Sequence, residues 1–270
     1  MTVPADDEDM ATTLLWEQGT SGLEVRPAGE DRVALLAYFP DAPGLEPALA
    51  AALAPLPRAR LQPAEVPDVD WVARFRDGFR PFPAAGFVVA PPWWIPPSIT
   101  DPASLLIVDP GRAFGTGTHE STRLCLGLLR ELAGRGPLGR VLDLGTGTGI
   151  LGIAAARLGA RTVTAVDLDP EAIVSAQHHA RLNGVDLRLL RADLACALRP
   201  GAFDLVLANI SATLLRECRD EIVALDAPAL VLSGLLVTDA QALRDAYDGA
   251  GRLEVRQDGE WIAAVVTRRP

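Results

Sequence analysis

Arg140-Val-Leu-Asp-Leu-Gly-Thr-Gly-Thr-Gly-Ile-Leu-Gly-Ile-Ala-Ala-Ala-Arg-Leu-Gly-Ala-Arg-Thr-Val-Thr-Ala-Val-Asp-Leu-Asp169 decides how this chain folds. Its opening apolar run, 141–144, has the length and composition of a buried parallel strand. Glycines at 145, 147 and 149 follow, and the Ala/Ile/Leu-rich stretch after them predicts a helix ending near Gly159. A second strand, 162–166, delivers Asp167. Strand, glycine turn, helix, strand and acid in that order build a crevice for an adenosine-containing cofactor. The glycines let bare backbone approach a ligand, and the helix N-terminus offers unpaired N–H groups. Asp167 stands 22 residues beyond Gly145, where a carboxylate can accept hydrogen bonds from both ribose hydroxyls.

The same stretch contains Gly147-x-Gly149-x-x-Gly152, a formal match to the dinucleotide fingerprint, so NAD and S-adenosylmethionine are both weighed. Two details favour S-adenosylmethionine. Gly145, Gly147 and Gly149 have the G-x-G-x-G spacing typical of methyltransferases. Asp143 stands two residues before the first glycine, where it can meet the methionine ammonium through water or a backbone turn. A pyrophosphate gains from a bare helix N-terminus, whereas a sulfonium amino acid gains from a nearby carboxylate.

The 270 residues leave room for a cofactor domain of about 200 residues and a smaller companion. The chain is 49% hydrophobic but has no apolar run of membrane-spanning length, so a large core is expected and a membrane is not. The acidic N-terminus lacks a basic-then-apolar leader, which predicts a cytoplasmic protein. Cys125, Cys196 and Cys218 are scattered and odd in number, which suits reduced thiols. The histidines show no ligand spacing, and adjacent His178 and His179 are expected to point to different parts of a helix surface; no metal is expected. The net charge of −10 argues against direct contact with nucleic acid and admits a basic protein partner. Every basic residue other than the histidines is Arg, a compositional bias rather than a functional signal.

Residues 1–57 read as a small α+β domain. No strand is expected in 1–9; a helix over 10–18 ends at Gly19, strands over 22–26 and 32–39 flank the turn Ala28-Gly29-Glu30-Asp31, and a helix over 45–53 is closed by Pro55 and Pro57. It shows no catalytic arrangement, so substrate recognition is the role expected of it. Residues 58–80 form a linker whose short helix, 70–77, carries Trp71 and Phe75 on one face. Residues 81–270 form the cofactor domain. Here 86–90 reads as a strand, Pro91-Pro-Trp-Trp-Ile-Pro-Pro97 as a stiff loop with Trp93 and Trp94 packed over a domain edge, and 105–108 as another strand. The loop Ala113-Phe-Gly-Thr-Gly-Thr-His-Glu120 lacks the Gly-Lys-Ser/Thr of a phosphate loop. It is suited to close over a cofactor, with His119 ordering it, and leads into a helix over 121–133.

Beyond the central unit the alternation continues. A helix over 170–183 starts at Pro170 and stops at Gly184; strands follow over 187–191 and 203–209. Then come a helix over 213–225, a strand over 230–233, a helix over 239–247, and strands over 253–257 and 261–267 joined by Asp258-Gly259 as a hairpin. The fold class is α/β: a doubly wound, Rossmann-like sheet of five parallel strands finished by a hairpin, the seven-stranded methyltransferase layout.

With these residues in hand, the chain resembles the bacterial ribosomal protein L-eleven methyltransferase family (PrmA). The stretches that carry the resemblance are Asp109-Pro-Gly-Arg-Ala-Phe-Gly-Thr-Gly-Thr-His-Glu-Ser-Thr-Arg123, Leu142-Asp-Leu-Gly-Thr-Gly-Thr-Gly-Ile-Leu151, Val166-Asp-Leu-Asp-Pro170, Leu207-Ala-Asn-Ile210, Ser233-Gly-Leu-Leu236 and Gly259-Glu-Trp261. It covers about residues 70–269. The resemblance implies a small domain that grips the substrate, a linker that lets it reposition, and a catalytic domain that binds S-adenosylmethionine and releases S-adenosylhomocysteine. It implies methylation of lysine ε-amines and the α-amino group of one basic protein of the large ribosomal subunit; a monomer is expected. By motif match it assigns Thr122, Gly145, Asp167 and Asn209 as cofactor contacts, and Asp193 to the adenine amino group. Phe114 and Gly147, in the two glycine loops, and Asp143 complete the expected cofactor set. The family usually opens with a strand that 1–9 does not show, and Ser121 stands where Thr is common.

The amine must attack in its neutral form, so Asn209 is expected to orient it through an oxygen and not to act as a base. The Asn-Pro-Pro-aromatic motif of amide and adenine methyltransferases is absent from Asn209-Ile-Ser-Ala. Three rival readings are a nicotinamide-dependent oxidoreductase, a ribosome-assembly module without activity, and a methyltransferase of another protein or a small molecule. The C-terminal hairpin and Asp143 count against the first, intact cofactor positions against the second, and the 113–122 loop against the third.

Overall fold

The computed structural model describes residues 1–20, 22–29, 31–39, 42, 44–62, 78–110, 115–193 and 198–268, with the side chains of 9, 13, 16 and 17 set aside. The linker helix expected over 70–77, Phe114 and Cys196 lie outside the described residues. The chain divides into two units, Met1–Val69 and Asp70–Pro270.

In the larger unit, the apolar runs that begin and follow the glycine turn become β7 (Arg140–Leu144) and β8 (Thr162–Asp167). With β9 (Arg188–Arg191), β10 (Leu205–Asn209), β11 (Ala229–Leu236), β12 (Arg252–Asp258) and β13 (Trp261–Thr267) they form one sheet in the order β12-β13-β11-β10-β7-β8-β9. Pairing from β9 through β8, β7 and β10 to β11 is parallel, and β13 runs antiparallel to both β11 and β12. The chain leaves β7 toward β8 on one side and later returns to β10 on the other. That reversal opens a crevice at the carboxyl ends of β7 and β10.

Both faces of the sheet are covered, which is why its central strands read as unbroken apolar runs. Alternate residues serve opposite cores. Val141, Leu205 and Leu207 pack with Leu126 and Leu129 of α3 (Glu120–Arg135) and Ile153 of α4 (Ile150–Arg157). Leu142, Leu144, Val206 and Ala208 pack with Leu215 of α6 (Ala212–Glu217), Ile222 of α7 (Arg219–Ala224) and Leu243 of α8 (Ala240–Ala246). The helix expected over 213–225 is thus two, with Cys218 as the junction at φ −93 and ψ 12. Sequence periodicity alone does not show such a break, because both halves keep their apolar residues on the sheet side.

Upstream, β4 (Phe82–Ala84) and β5 (Phe87–Ala90) make a hairpin through Ala85 and Gly86, both left-handed at φ 48 and 81, and β6 (Leu105–Ile107) pairs parallel with β5. The two prolines around Phe82 conceal β4 in the sequence. The open edge of β6 is completed by α5 (Pro170–Leu182) and its C-cap rather than by a strand. Asn183 Oδ1 accepts the Ile107 N–H at 2.8 Å, and its Nδ2 donates to the Ile107 carbonyl at 2.7 Å. Next to it, His179 Nε2 accepts the Asp109 N–H at 3.1 Å, while His178 Nε2 lies 3.2 Å from Asp109 Oδ2. The two histidines therefore converge on one residue instead of pointing apart. Burial holds the His179 ring below the usual imidazole pKa, in the neutral form that can accept that N–H. Trp93 and Trp94, expected to be packed, are about half exposed, with the Arg80 guanidinium 5.0 Å from the Trp94 ring centre.

In the smaller unit, β2 (Gly22–Pro27) and β3 (Arg32–Tyr38) pair as expected, and α1 (Glu8–Glu17) and α2 (Leu45–Ala52) supply Ala11, Leu15 and Leu49 to a core with Leu35. The N-terminal residues hold a strand that the sequence reading denied: β1 (Thr2–Pro4) pairs antiparallel with β3, and Thr2 also exchanges backbone bonds with Arg60. Three residues with only Val3 and Pro4 turned inward show no alternation to read; pairing with distant residues makes them a strand. Among the described residues no helix is long and apolar enough to cross a membrane, and no His/Cys/Asp/Glu group could hold a metal ion.

Candidate active site

The site is built at the crevice, first by the glycine turn. The N–H groups of Gly145 and Thr146 both donate to the Val166 carbonyl at 2.9 and 3.0 Å, tying the turn to the tip of β8. Gly147 N–H donates to Asp167 Oδ2 at 2.9 Å, and Asp169 N–H to Asp167 Oδ1 at 3.0 Å. Asp167 is thereby fixed by backbone on both sides, with further lone pairs for a ligand. Gly149 caps α4 in a left-handed conformation, φ 83.

Asp143 lies beneath this turn, fully buried. Its Oδ2 accepts the Thr146 hydroxyl at 2.7 Å and the Gly152 N–H at 3.0 Å. Burial pushes its pKa up to about 6; the two hydrogen bonds oppose that rise, and the charge of Asp167 adds to it. The structure therefore gives Asp143 a loop-bracing position below the surface. Two carboxylates around one bare turn repel a pyrophosphate and attract a cationic ligand.

The second wall is the end of β10. Asn209 Nδ2 donates to Thr122 Oγ1 at 3.4 Å, and its Oδ1 is buried without a hydrogen-bond partner among the described residues. Thr122 is itself fully buried in the first turn of α3, so its side chain reaches the crevice through Asn209. Ser233 of β11 donates to the Ser121 carbonyl at 3.3 Å and the Ile262 carbonyl at 3.1 Å, which rivets the same helix start to the sheet. His119 plays the ordering role expected of it. It caps α3, its Nδ1 accepts the Ser121 N–H at 3.2 Å, and its ring stands edge-on to Trp261 at 4.3 Å. Arg123 joins the Thr118 carbonyl to Asp258 at the end of β12.

Of the residues expected from sequence, Asp143, Gly145, Gly147, Asp167, Thr122 and Asn209 gather at this crevice. Asp193 is exposed just past β9, where the preceding Ala192 N–H bonds the Asp167 carbonyl at 3.1 Å. Thr148 went unremarked in the sequence, yet its hydroxyl donates to the Gly115 carbonyl at 2.6 Å and docks the second glycine loop on the first. The threonines between the glycines were the signal for it. Bare backbone, a carboxylate braced by two backbone N–H groups and a buried amide oxygen with no hydrogen-bond partner among the described residues meet at this crevice.

Comparison with known proteins agrees. Residues 3–269 match the family described as ribosomal protein L11 methyltransferase (PrmA). A protein of that name from Geobacter sulfurreducens is 43% identical over 205 residues, covering 73% of this chain and 66% of its own length, so about a third of that relative has no counterpart in the alignment. The Geobacter metallireducens relative is covered over 64% of its length. A relative from Pseudomonas aeruginosa LESB58 is 35% identical over 271 residues, covering 98% of this chain and 86% of its own. The crystal structure of ribosomal protein L11 methylase from Lactobacillus delbrueckii subsp. bulgaricus superposes with a TM-score of 0.63 at 30% identity, over 71% of this chain and 100% of its own. A match that runs through both units and a solved relative that superposes over most of this chain lead to one conclusion: the chain belongs to the ribosomal protein L11 methyltransferase (PrmA) family.

Proposed function

We propose that this chain is a protein N-methyltransferase that moves methyl groups from S-adenosylmethionine to lysine ε-amines and the α-amino group of ribosomal protein L11. The observation that carries this reading is the Oδ1 of Asn209 at the carboxyl edge of β10, buried and without a hydrogen-bond partner among the described residues. A buried acceptor without a donor costs about 1–3 kcal/mol, and an amine N–H aimed at it removes that cost. When bound, S-adenosylmethionine supplies a methyl group on positively charged sulfur, already activated for in-line displacement.

The chain's own residues then hold and orient. Asp167 accepts the ribose hydroxyls, the backbone of Gly145 and Gly147 lies against the methionine portion, and Asp193 takes the adenine amino group. Asp143 and Thr122 act one step back, the first bracing the glycine turn and the second holding Asn209. A free lysine, with a pKa of about 10.4, is protonated and has no lone pair to attack with. Removal from water in a site that already holds a positive charge favours the neutral amine, whose proton leaves to solvent. Asn209 Oδ1 accepts an amine N–H and aims the lone pair; no side chain here serves as base. The acidic net charge of −10 suits a basic protein substrate, and we read the enzyme as a cytoplasmic monomer without direct nucleic-acid contact.

The test is incubation with methyl-labelled S-adenosylmethionine and L11 from undermethylated ribosomes, followed by mass spectrometry of the labelled protein. Label on L11 amines is expected, and Asn209→Ala should lower kcat about 100-fold, the scale of a lost oriented contact. Label that reaches other proteins but not L11 would reject the substrate assignment.

A further inference from the structure

β10 lies between β7 and β11, and each neighbour presents a glycine to the residue just past its end. Gly145 follows β7 and Gly234 sits in the bulge of β11 between Ser233 and Leu235, both left-handed at φ 67 and 87. A Cβ at Gly145 would stand 2.4 Å from Ile210 Cγ2. At Gly234 a Cβ would stand 2.1 Å from the Ile210 carbonyl oxygen and 2.8 Å from its carbon. The two contacts close on opposite parts of one residue, side chain on one side and main chain on the other. Neither jaw is free to retreat. Gly145 is tied by its N–H to Val166, and Ser233, beside Gly234, by its hydroxyl to Ser121 and Ile262.

We infer that Gly145 and Gly234 clamp Ile210 and so fix the height of Asn209, which makes Gly234 a positioning residue for the acceptor amine. This rests on the methyltransferase reading given above. The jaws differ in kind. The Gly145 contact meets the end of a side chain, which truncation of Ile210 relieves. The Gly234 contact meets backbone, which no rotamer change relieves. An added methyl at 234 therefore pushes the Ile210 carbonyl, in the Ile210–Ser211 peptide next to Asn209, by about 1 Å to regain ordinary contact, a displacement on the scale that costs about 100-fold in rate.

Gly234→Ala is compared with Gly159→Ala, whose φ of 85 imposes the same backbone strain with no atom within 4 Å of the added carbon. The expected result is kcat for L11 about 100-fold below that of the control, with S-adenosylmethionine affinity by calorimetry unchanged, and faster hydrogen exchange at the Ile210 and Ser211 amides. Ile210→Ala, which opens the Gly145 side, is expected to lower kcat about tenfold with its melting temperature nearly kept, and it carries the test if Gly234→Ala does not fold. Control-level kcat in either folded variant, or a fall in kcat matched by lost cofactor affinity, overturns the clamp. Should the wild-type enzyme transfer no methyl to L11, the substrate assignment fails instead. The amide exchange at Ile210 then decides the clamp, and exchange unchanged in Gly234→Ala rejects it.

Discussion

Replacing Asp143 by Asn tests the electrostatics beneath the glycine turn. The carboxyl has a pKa of 3.8 when exposed and about 6 when folded, raised chiefly by burial. The folded state thus binds its proton more tightly than the unfolded chain. The stability this lends is full below about pH 4, declines as pH rises through 6, and is gone by about pH 7. Across that window the one group costs the fold roughly 3 kcal/mol. Asn cannot ionise, and both native bonds end on the same oxygen, Oδ2, so an amide oxygen in its place keeps the Thr146 and Gly152 donors. Any fixed cost of seating the amide nitrogen is the same at every pH and drops out of the comparison. The stability of the Asp143→Asn variant relative to wild type should therefore rise by up to roughly 3 kcal/mol between about pH 4 and about pH 7. For a unit of this size that corresponds to a relative melting-temperature change of roughly 6–12 °C. Differential scanning calorimetry of both proteins across that range measures it. A difference that stays flat with pH, or falls as pH rises, refutes a carboxyl whose proton is held by burial.

Asp167→Ala removes the acceptor of the Gly147 and Asp169 N–H groups together with the proposed ribose acceptor; calorimetric S-adenosylmethionine affinity should drop about tenfold or more, and unchanged affinity would remove Asp167 from the site. Asn183→Ala strips the Ile107 N–H and carbonyl of their partners at the edge of β6, and a loss of roughly 2–4 kcal/mol in denaturant unfolding is expected. Asp204, bonded through both oxygens to the Arg140 guanidinium and to its N–H, is held down to about pKa 2. Both side chains are about a third exposed, so solvent screening limits Asp204→Ala to about 1 kcal/mol at neutral pH. Because the folded pKa is depressed, that contribution is present above about pH 4 and fades as pH falls toward 2; titration of the wild-type–variant difference checks it.

The sequence by itself determined the sheet. Its strands are apolar runs buried on both faces, its turns carry glycines, and its helices start and stop at Pro170, Gly159 and Gly184, all local signals that survive without knowledge of neighbours. The crevice residues were legible for the same reason: Gly145, Gly147 and Asp167 stand at fixed distances along one strand–turn–helix–strand unit. What depended on distant partners was not legible. β1 exists because β3 and Arg60 pair with it, and β6 keeps its edge because Asn183 reaches Ile107 from 76 residues on, with His179 holding Asp109 just beyond. Asp143 looks in sequence like a ligand and is found buried, bonded to Thr146 and Gly152, since only packing tells which way a carboxyl faces and how far burial shifts its proton. Ile210 shows the division most plainly. Nothing in Asn-Ile-Ser announces a clamp, because the two glycines that make it come from strands on either side, and strand order is a property of the folded sheet.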